Sequence, residues 1–309
     1  MAVYIVRRLA QTIPSLFLMT LFVFVVLRMS GDPLELMLGD AVDLMSTAEL
    51  QRLREHMGLD RPILVQYVLY LRDLVQGDFG RSIIYQNQPA LPLVIARLPA
   101  TLELAVAALI VAVGISLPAG IIAAIYRNRW QDHGATFYAI LGQAMPNFWL
   151  GIMLILIVSV YFGWLPVSGR GTTQHVILPA VALGTSLAAL LMRLMRSNLL
   201  DVLSADYIRT ARAKGLRDRV ILLKHAVRNA LIPYVTVLGL SIANLLSGSV
   251  VTEQVFAWPG MGLLLIRAIS GRDMALVQTI VIFSALAVIA ANLVVDILYS
   301  FLDPRITYD

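Results

Sequence analysis

The sequence predicts an all-α polytopic membrane protein with six transmembrane helices and a helical insertion after the first of them. Two observations predict it, and a third bounds the chemistry. The 309 residues are 59% hydrophobic and only 14% charged, which leaves too little polar surface to coat a soluble globule. The mean hydropathy is +0.80, and six long apolar stretches carry the excess, each near the roughly 20 residues that a helix needs to cross hydrocarbon. Finally, Cys is absent, and His56, His133, His175 and His225 are scattered rather than paired at ligand spacing. No disulfide framework, thiolate nucleophile, metal site or cofactor is therefore expected.

The first span, about residues 9–29, follows Arg7 and Arg8. Its apolar run exceeds the h-region of a signal peptide, and no small-x-small cleavage site precedes Gly31-Asp32-Pro33, so it reads as an uncleaved anchor. It forms one domain, 1–100, with the segment after it. In that segment Ser46 opens a capping box completed by Glu49, the helix stops at Gly58, and Asp60 with Pro62 opens a second helix ending near Gly77. Leu64, Tyr67, Val68, Leu71, Leu74 and Val75 form a stripe at helical spacing, suited either to packing on the spans or to docking a partner. A core of five spans covers 101–302, at about 102–126, 135–161, 178–195, 231–251 and 277–302, with 303–309 as a tail. The fourth span is short and rich in Ala.

An even number of spans puts both termini on one side, and Arg and Lys choose the cytoplasmic one. With the termini inside, the inner segments hold Arg7, Arg8, Arg127, Arg129, Arg305 and the dense basic run between Arg193 and Arg228, whereas the short outer loops carry only Arg170, Arg267 and Arg272. The segment from 30 to 100 is then extracytoplasmic. The net charge of +5 sits beside apolar spans, where its partner is the anionic lipid leaflet rather than nucleic acid.

The inner loop 204–230 is too long for a simple turn. It reads as two short helices broken at Gly215, with Leu216, Val220, Leu223 and Val227 on one face of the second. Arg209, Arg212, Lys214, Arg217, Arg219, Lys224 and Arg228 outnumber Asp206 and Asp218. A positive loop lying on headgroups accounts for the charge, but not for the helix-Gly-helix layout, which suits a protein partner.

Enzyme readings fail on missing parts. The only lysines, Lys214 and Lys224, do not end a Gly-x4-Gly-Lys-Ser/Thr run, so any ATP hydrolysis belongs to another polypeptide. Gly114-x-Ser116, Gly184-x-Ser186 and Gly239-x-Ser241 have no mid-span His to serve as base, and no paired carboxylates lie within a span. In the fifth span Ser241, Asn244 and Gly248 share a face with Ser247 close by, either for close helix packing or to line a translocation path. In the loop Glu253 to Gly262, Phe256 and Trp258 suit the membrane interface, half in lipid, and Pro259-Gly260 suits a sharp turn.

Asp206-Tyr207-Ile208-Arg209-Thr210-Ala211-Arg212-Ala213-Lys214-Gly215-Leu216, continuing to His225-Ala226-Val227-Arg228-Asn229-Ala230-Leu231-Ile232-Pro233, resembles the coupling loop of ABC importer permeases of the dipeptide/oligopeptide/nickel group. Gly31-Asp32-Pro33, Gly77-Asp78-Phe79-Gly80-Arg81-Ser82, Arg97-Leu98-Pro99-Ala100-Thr101, Glu253-Gln254-Val255-Phe256-Ala257-Trp258-Pro259-Gly260-Met261-Gly262 and Asp303-Pro304-Arg305 extend the resemblance over nearly the whole chain. The early first span resembles the first, B-type, permease subunit, and Tyr126-Arg127-Asn128-Arg129-Trp130 with Gly163-Trp164-Leu165-Pro166 looks most like the glutathione-importer type. The family's Glu-Ala-Ala before the loop glycine reads Arg209, Thr210 and Ala211 here, so only the last Ala and Gly215 match that pattern.

The resemblance implies a type I ABC importer permease fold in a bacterial inner membrane and a subunit without enzymatic activity of its own. It implies a homologous second permease, two ATP-binding subunits and an external substrate-binding protein as partners, and peptides or peptide-like small solutes as cargo. Asp206, Ala211, Arg212, Ala213, Lys214 and Gly215 would couple to the ATPase, Ser241, Asn244, Ser247 and Gly248 would line the path, and Glu253, Phe256, Trp258 and Gly260 would dock the binding protein. The competing class is an ATP-independent channel or receptor.

Overall fold

The computed structural model describes residues 2–29, 31, 34, 39–56 and 58–302, and of these the side chains other than those of 2–11, 40, 41, 43, 56, 243, 244, 246–248 and 294–302. The motif residues Asp32-Pro33 and Asp303-Pro304-Arg305 lie outside them. The chain is helical almost throughout, because a chain in hydrocarbon must satisfy its backbone within each segment. Helices α1 (Ala2–Met29), α2 (Thr47–His56) and α3 (Ile63–Val75) precede a hairpin of β1 (Arg81–Ser82) and β2 (Gln88–Pro89). Helices α4 (Ala90–Ile125), α5 (Trp130–Ala144), α6 (Asn147–Leu154), α7 (Thr173–Ser204) and α8 (Asp206–Ala213) follow. The chain ends in α9 (Arg228–Val255), α10 (Met261–Ser270) and α11 (Met274–Leu302). Among the described residues five helical stretches are long and apolar enough to cross a membrane, six if the bent pair is one span.

Two compact units divide the chain. The first comprises 1–99 and 260–287, and the second 100–259 and 288–309. In the first, Met261, Leu264 and Ala268 of α10 pack with Leu276, Val277 and Ile280 of α11 and with Ala90 and Val94 at the start of α4. The capping box forms: the Glu49 amide donates to Ser46 Oγ at 3.3 Å, and the Ser46 amide donates to Glu49 Oε2 at 2.9 Å. The Ser46 hydroxyl and amide hold the Glu49 carboxyl below the usual carboxylate range. Of the α3 stripe only Tyr67 is buried, against Phe17 and Thr20 of α1, with its hydroxyl donating to Phe17 O at 3.1 Å. Leu64, Val68 and Val75 are exposed instead. The Gly77-to-Ser82 motif works as a clasp: Ser82 Oγ donates to the buried Asp273 carboxylate at 2.5 Å, which also caps α11 through the Leu276 amide.

In the second unit α7 is the hub, touching α5, α6 and α9. Its Leu183, Leu187, Leu191, Met195 and Leu199 form one buried stripe. Close approach to α4 depends on Gly184, where an added Cβ would lie 2.7 Å from the Ala108 carbonyl oxygen. Asp132 of α5, buried, takes both arms of Arg196 of α7, Nε at 2.5 Å and Nη2 at 2.8 Å, and also accepts the Asn128 amide at 2.9 Å. The stretch read as one span over 135–161 is in two pieces, α5 and the helical run 147–161, bent by 105°. Its cause is Pro146, which lacks the amide that would continue α5 and pushes Met145 into an extended conformation. Helix α7 runs well beyond the 178–195 read from its most apolar part.

Candidate functional site

Helix α8 and the glycine after it form the most distinctive exposed feature. Ser204 ends α7, and Ala205, extended at φ −69° and ψ 147°, turns the chain so that α8 begins with Asp206 in its first turn, where a carboxylate favours the helix N-terminus. Ile208 is the anchor: it is fully buried, in the cluster of Leu199, Ile221, Ala226 and Val227, while Ala211 packs at the edge of that cluster. The helix then stops in a Schellman arrangement. The Gly215 amide donates to Arg212 O at 2.9 Å, the Leu216 amide to Ala211 O at 3.3 Å, and Gly215 takes φ +74°. A Cβ at Gly215 would meet nothing within 4 Å, so glycine is required by the backbone angle and not by space.

The surface this presents is basic with an apolar centre. Arg212, Ala213, Lys214 and Arg217 are exposed, and beside them Leu216, Val220 and Leu223 are 40%, 38% and 53% exposed. Arg209 and Asp206 pair at 3.4 Å in solvent, which contributes little to stability. The expectation of two short helices flanking Gly215 is corrected in its second half. From Asp218 the chain makes one helical turn, Asp218–Val220, and a π-helical run, Ile221–Val227, and continues without interruption into α9. Consequently Leu216, Val220 and Leu223 cap the end of a membrane helix, and Val227 is buried in the core rather than sharing their face.

Of the residues read as a translocation face, Ser241 is buried and donates to Val237 O at 2.7 Å, while the side chains of Asn244, Ser247 and Gly248 lie outside the described residues. Ser116, which began as a weak nucleophile match, shares a hydrogen bond of 2.7 Å with the Tyr234 hydroxyl.

The loop after α9 requires a correction. Phe256 and Trp258 do not sit half in lipid; they are 2% and 0% exposed. Trp258 Nε1 donates to Ala100 O at 2.8 Å, its ring lies under the Arg170 guanidinium, and Phe256 packs on Gly151. Glu253 is equally buried, accepting from Thr101 Oγ1 at 2.8 Å and Ser249 Oγ at 3.2 Å. Gly260 is buried too and extended, at φ −95° and ψ −171°. The Glu253, Phe256 and Trp258 side chains shape the loop from inside, and Gln254 and Ala257 are what it exposes. Indole and phenyl rings serve interfaces and cores alike, so the sequence offered no signal between the two.

Two arrangements were not visible in the sequence. One is the Asp132–Arg196 pair, whose members stand far apart in the chain. The other is a cavity of about 260 Å³ that brings Asn147, at the α5–α6 break, and Ser186 of α7 beside Ser241.

Comparison with known proteins agrees with this architecture. A family model described as the binding-protein-dependent transport system inner membrane component matches residues 116–308, and the corresponding N-terminal model matches residues 1–105. The chain is 43% identical to the oligopeptide transport system permease protein AppB of Bacillus subtilis, over 100% of both chains. It is 42% identical to the glutathione transport system permease protein GsiC of Escherichia coli K12, over 99% of both. Among solved structures, the inward-facing MetNI methionine ABC transporter aligns with a TM-score of 0.57 at 19% identity, covering 68% of this chain and 96% of that one. An amino acid ABC transporter aligns at 0.55 and 16%, covering 68% and 94%. At such identities the structural likeness speaks for the fold.

Proposed function

The chain belongs to the family of inner membrane components of binding-protein-dependent transport systems, and from that membership we propose that it is one permease subunit of an ATP-driven importer of peptides or peptide-like small solutes. The observation that carries the reading is the exposed, glycine-ended α8, pinned to the core by Ile208 and rimmed with basic side chains. A short helix fixed at one buried residue transmits a push from a partner as a rigid body, biasing one of two packings of the spans. Asp206, Ala211, Arg212, Ala213, Lys214 and Gly215 make that contact, Ala211 and Gly215 by shape and the basic residues by charge.

The chain has no phosphate-binding loop, so ATP is hydrolysed on two partner subunits, and a second, homologous permease completes the path. An external binding protein delivers the cargo. Both termini and α8 face the cytoplasm of a bacterial cell, with the chain in the inner membrane and 30–100 on the far side. The names of the relatives, oligopeptide and glutathione permeases, point to cargo that carries amide groups.

Reconstitution tests this. Purified alone, the chain is expected to hydrolyse no ATP. In proteoliposomes with its partner subunits, hydrolysis rises and peptide accumulates when loaded binding protein is added. Peptide flux that continues without ATP would replace the importer reading by a channel.

A further inference from the structure

A hydroxyl or amide left without a partner in hydrocarbon is costly, so polar groups at mid-membrane depth report what surrounds them. Within the spans of the second unit Ser116, Thr185 and Ser241 are each hydrogen-bonded inside the protein. Asn147 and Ser186 differ. Both are half-buried, and neither side chain makes a hydrogen bond to another described residue. Ser186 is the fourteenth residue of the 32-residue α7, about 20 Å from its start at 1.5 Å per residue, so it lies near the middle of the crossing. Asn147 opens α6 directly after the 105° break, and both line the cavity of about 260 Å³ with Ser241 and four leucines.

The backbone points the same way. Helix α6 has Pro146 as its N-cap and no side-chain cap, leaving first-turn amides without intrahelical partners. Broken helices at membrane depth occur where the freed groups are buried in protein or line a water-filled cavity. An uncapped helix start, an unpaired carboxamide and an unpaired hydroxyl thus meet at one cavity whose lining carries no charge.

We propose that Asn147 and Ser186 line the solute path at the level of the α5–α6 break, where they hydrogen-bond the amide groups of a passing peptide. The inference rests on the permease reading above and names the residues that meet the cargo. A carboxamide both donates and accepts, matching the one N–H and one C=O of a peptide unit, and the uncharged lining leaves cargo side chains unselected.

The chain has no native Cys, so Asn147→Cys and Ser186→Cys each supply one thiol, the second nearly isosteric. In the assembled complex in membranes, a small charged methanethiosulfonate reagent is expected to label both about ten-fold faster than Ile110→Cys, because the reactive thiolate forms only in contact with water. Ile110, on α4, is an apolar side chain with 67% exposure and serves as the reference. The double variant Asn147→Leu, Ser186→Val is expected to lose uptake about ten-fold with ATP hydrolysis intact, and Asn147→Gln to retain it. Labelling at both sites as slow as at Ile110→Cys, with and without ATP, means that lipid or the second permease covers them and overturns the proposal, as does unchanged uptake by the double variant. Failure of the permease reading is separate: the wild-type complex would then show no ATP-driven uptake at all.

Discussion

Replacing Gly215 by valine is expected to abolish uptake while the chain still inserts and folds. Gly215 holds φ +74°, a conformation that costs a β-branched residue roughly 1–2 kcal/mol or more. Nothing lies within 4 Å of its missing Cβ, so the added side chain causes no clash, and the strain is relieved by moving the backbone. That movement opens the two terminal hydrogen bonds, to Arg212 O and Ala211 O, and swings the exposed end of α8 away from its anchor at Ile208. Gly215→Asn is expected to retain much of the activity, because Asn tolerates the left-handed region. Uptake measured alongside the amount of ATP-binding subunit that co-purifies separates coupling from assembly. Normal uptake by Gly215→Val would remove this element from the mechanism.

The second large effect is expected at Arg196. Its fork satisfies Asp132, whose side chain is only 4% exposed, so Arg196→Leu leaves a buried carboxylate with the Asn128 amide alone. Breaking one side of such a pair costs about 3–5 kcal/mol. Asp132→Leu should cost less, since Arg196 is 30% exposed and can turn toward water. Arg196→Lys is not a rescue, because an ammonium cannot reproduce the two-pronged contact. Replacing both residues by Leu should recover most of the loss, as two apolar side chains leave no unpaired charge. Inactivation half-life at a fixed elevated temperature is the suitable measurement, because membrane proteins unfold irreversibly. A double variant as labile as Arg196→Leu would show that the pair contributes through something other than mutual satisfaction.

The legibility of these features differs for physical reasons. The membrane class was plain because hydrocarbon imposes long apolar runs on every crossing, and Gly215 stood out because a glycine ending a polar helix has few other uses. The break at Pro146 was equally present in the sequence, as a proline within an apolar run, but hydropathy averages over it. Phe256 and Trp258 were misplaced because aromatic rings suit a lipid interface and a core alike. Only the fold shows that the Trp258 indole reaches the Ala100 carbonyl and that Glu253 finds two hydroxyls. The Asp132–Arg196 pair and the Asn147–Ser186 cavity join residues on different helices, and no local pattern announces such meetings. The continuous helix from Asp218 into α9 was obscured by its charge, which reads as a loop until the buried Ile221, Ala226 and Val227 are seen to follow the core.

The proposed coupling requires an ATP-binding subunit to grip this chain at α8. A photo-activated crosslinker placed at Ala213, exposed on the last turn of α8, tests it most directly in intact cells. The expected result is a covalent adduct with the ATP-binding subunit, weakened by Gly215→Val. An adduct with the external binding protein, or none in a complex that still transports, would contradict it.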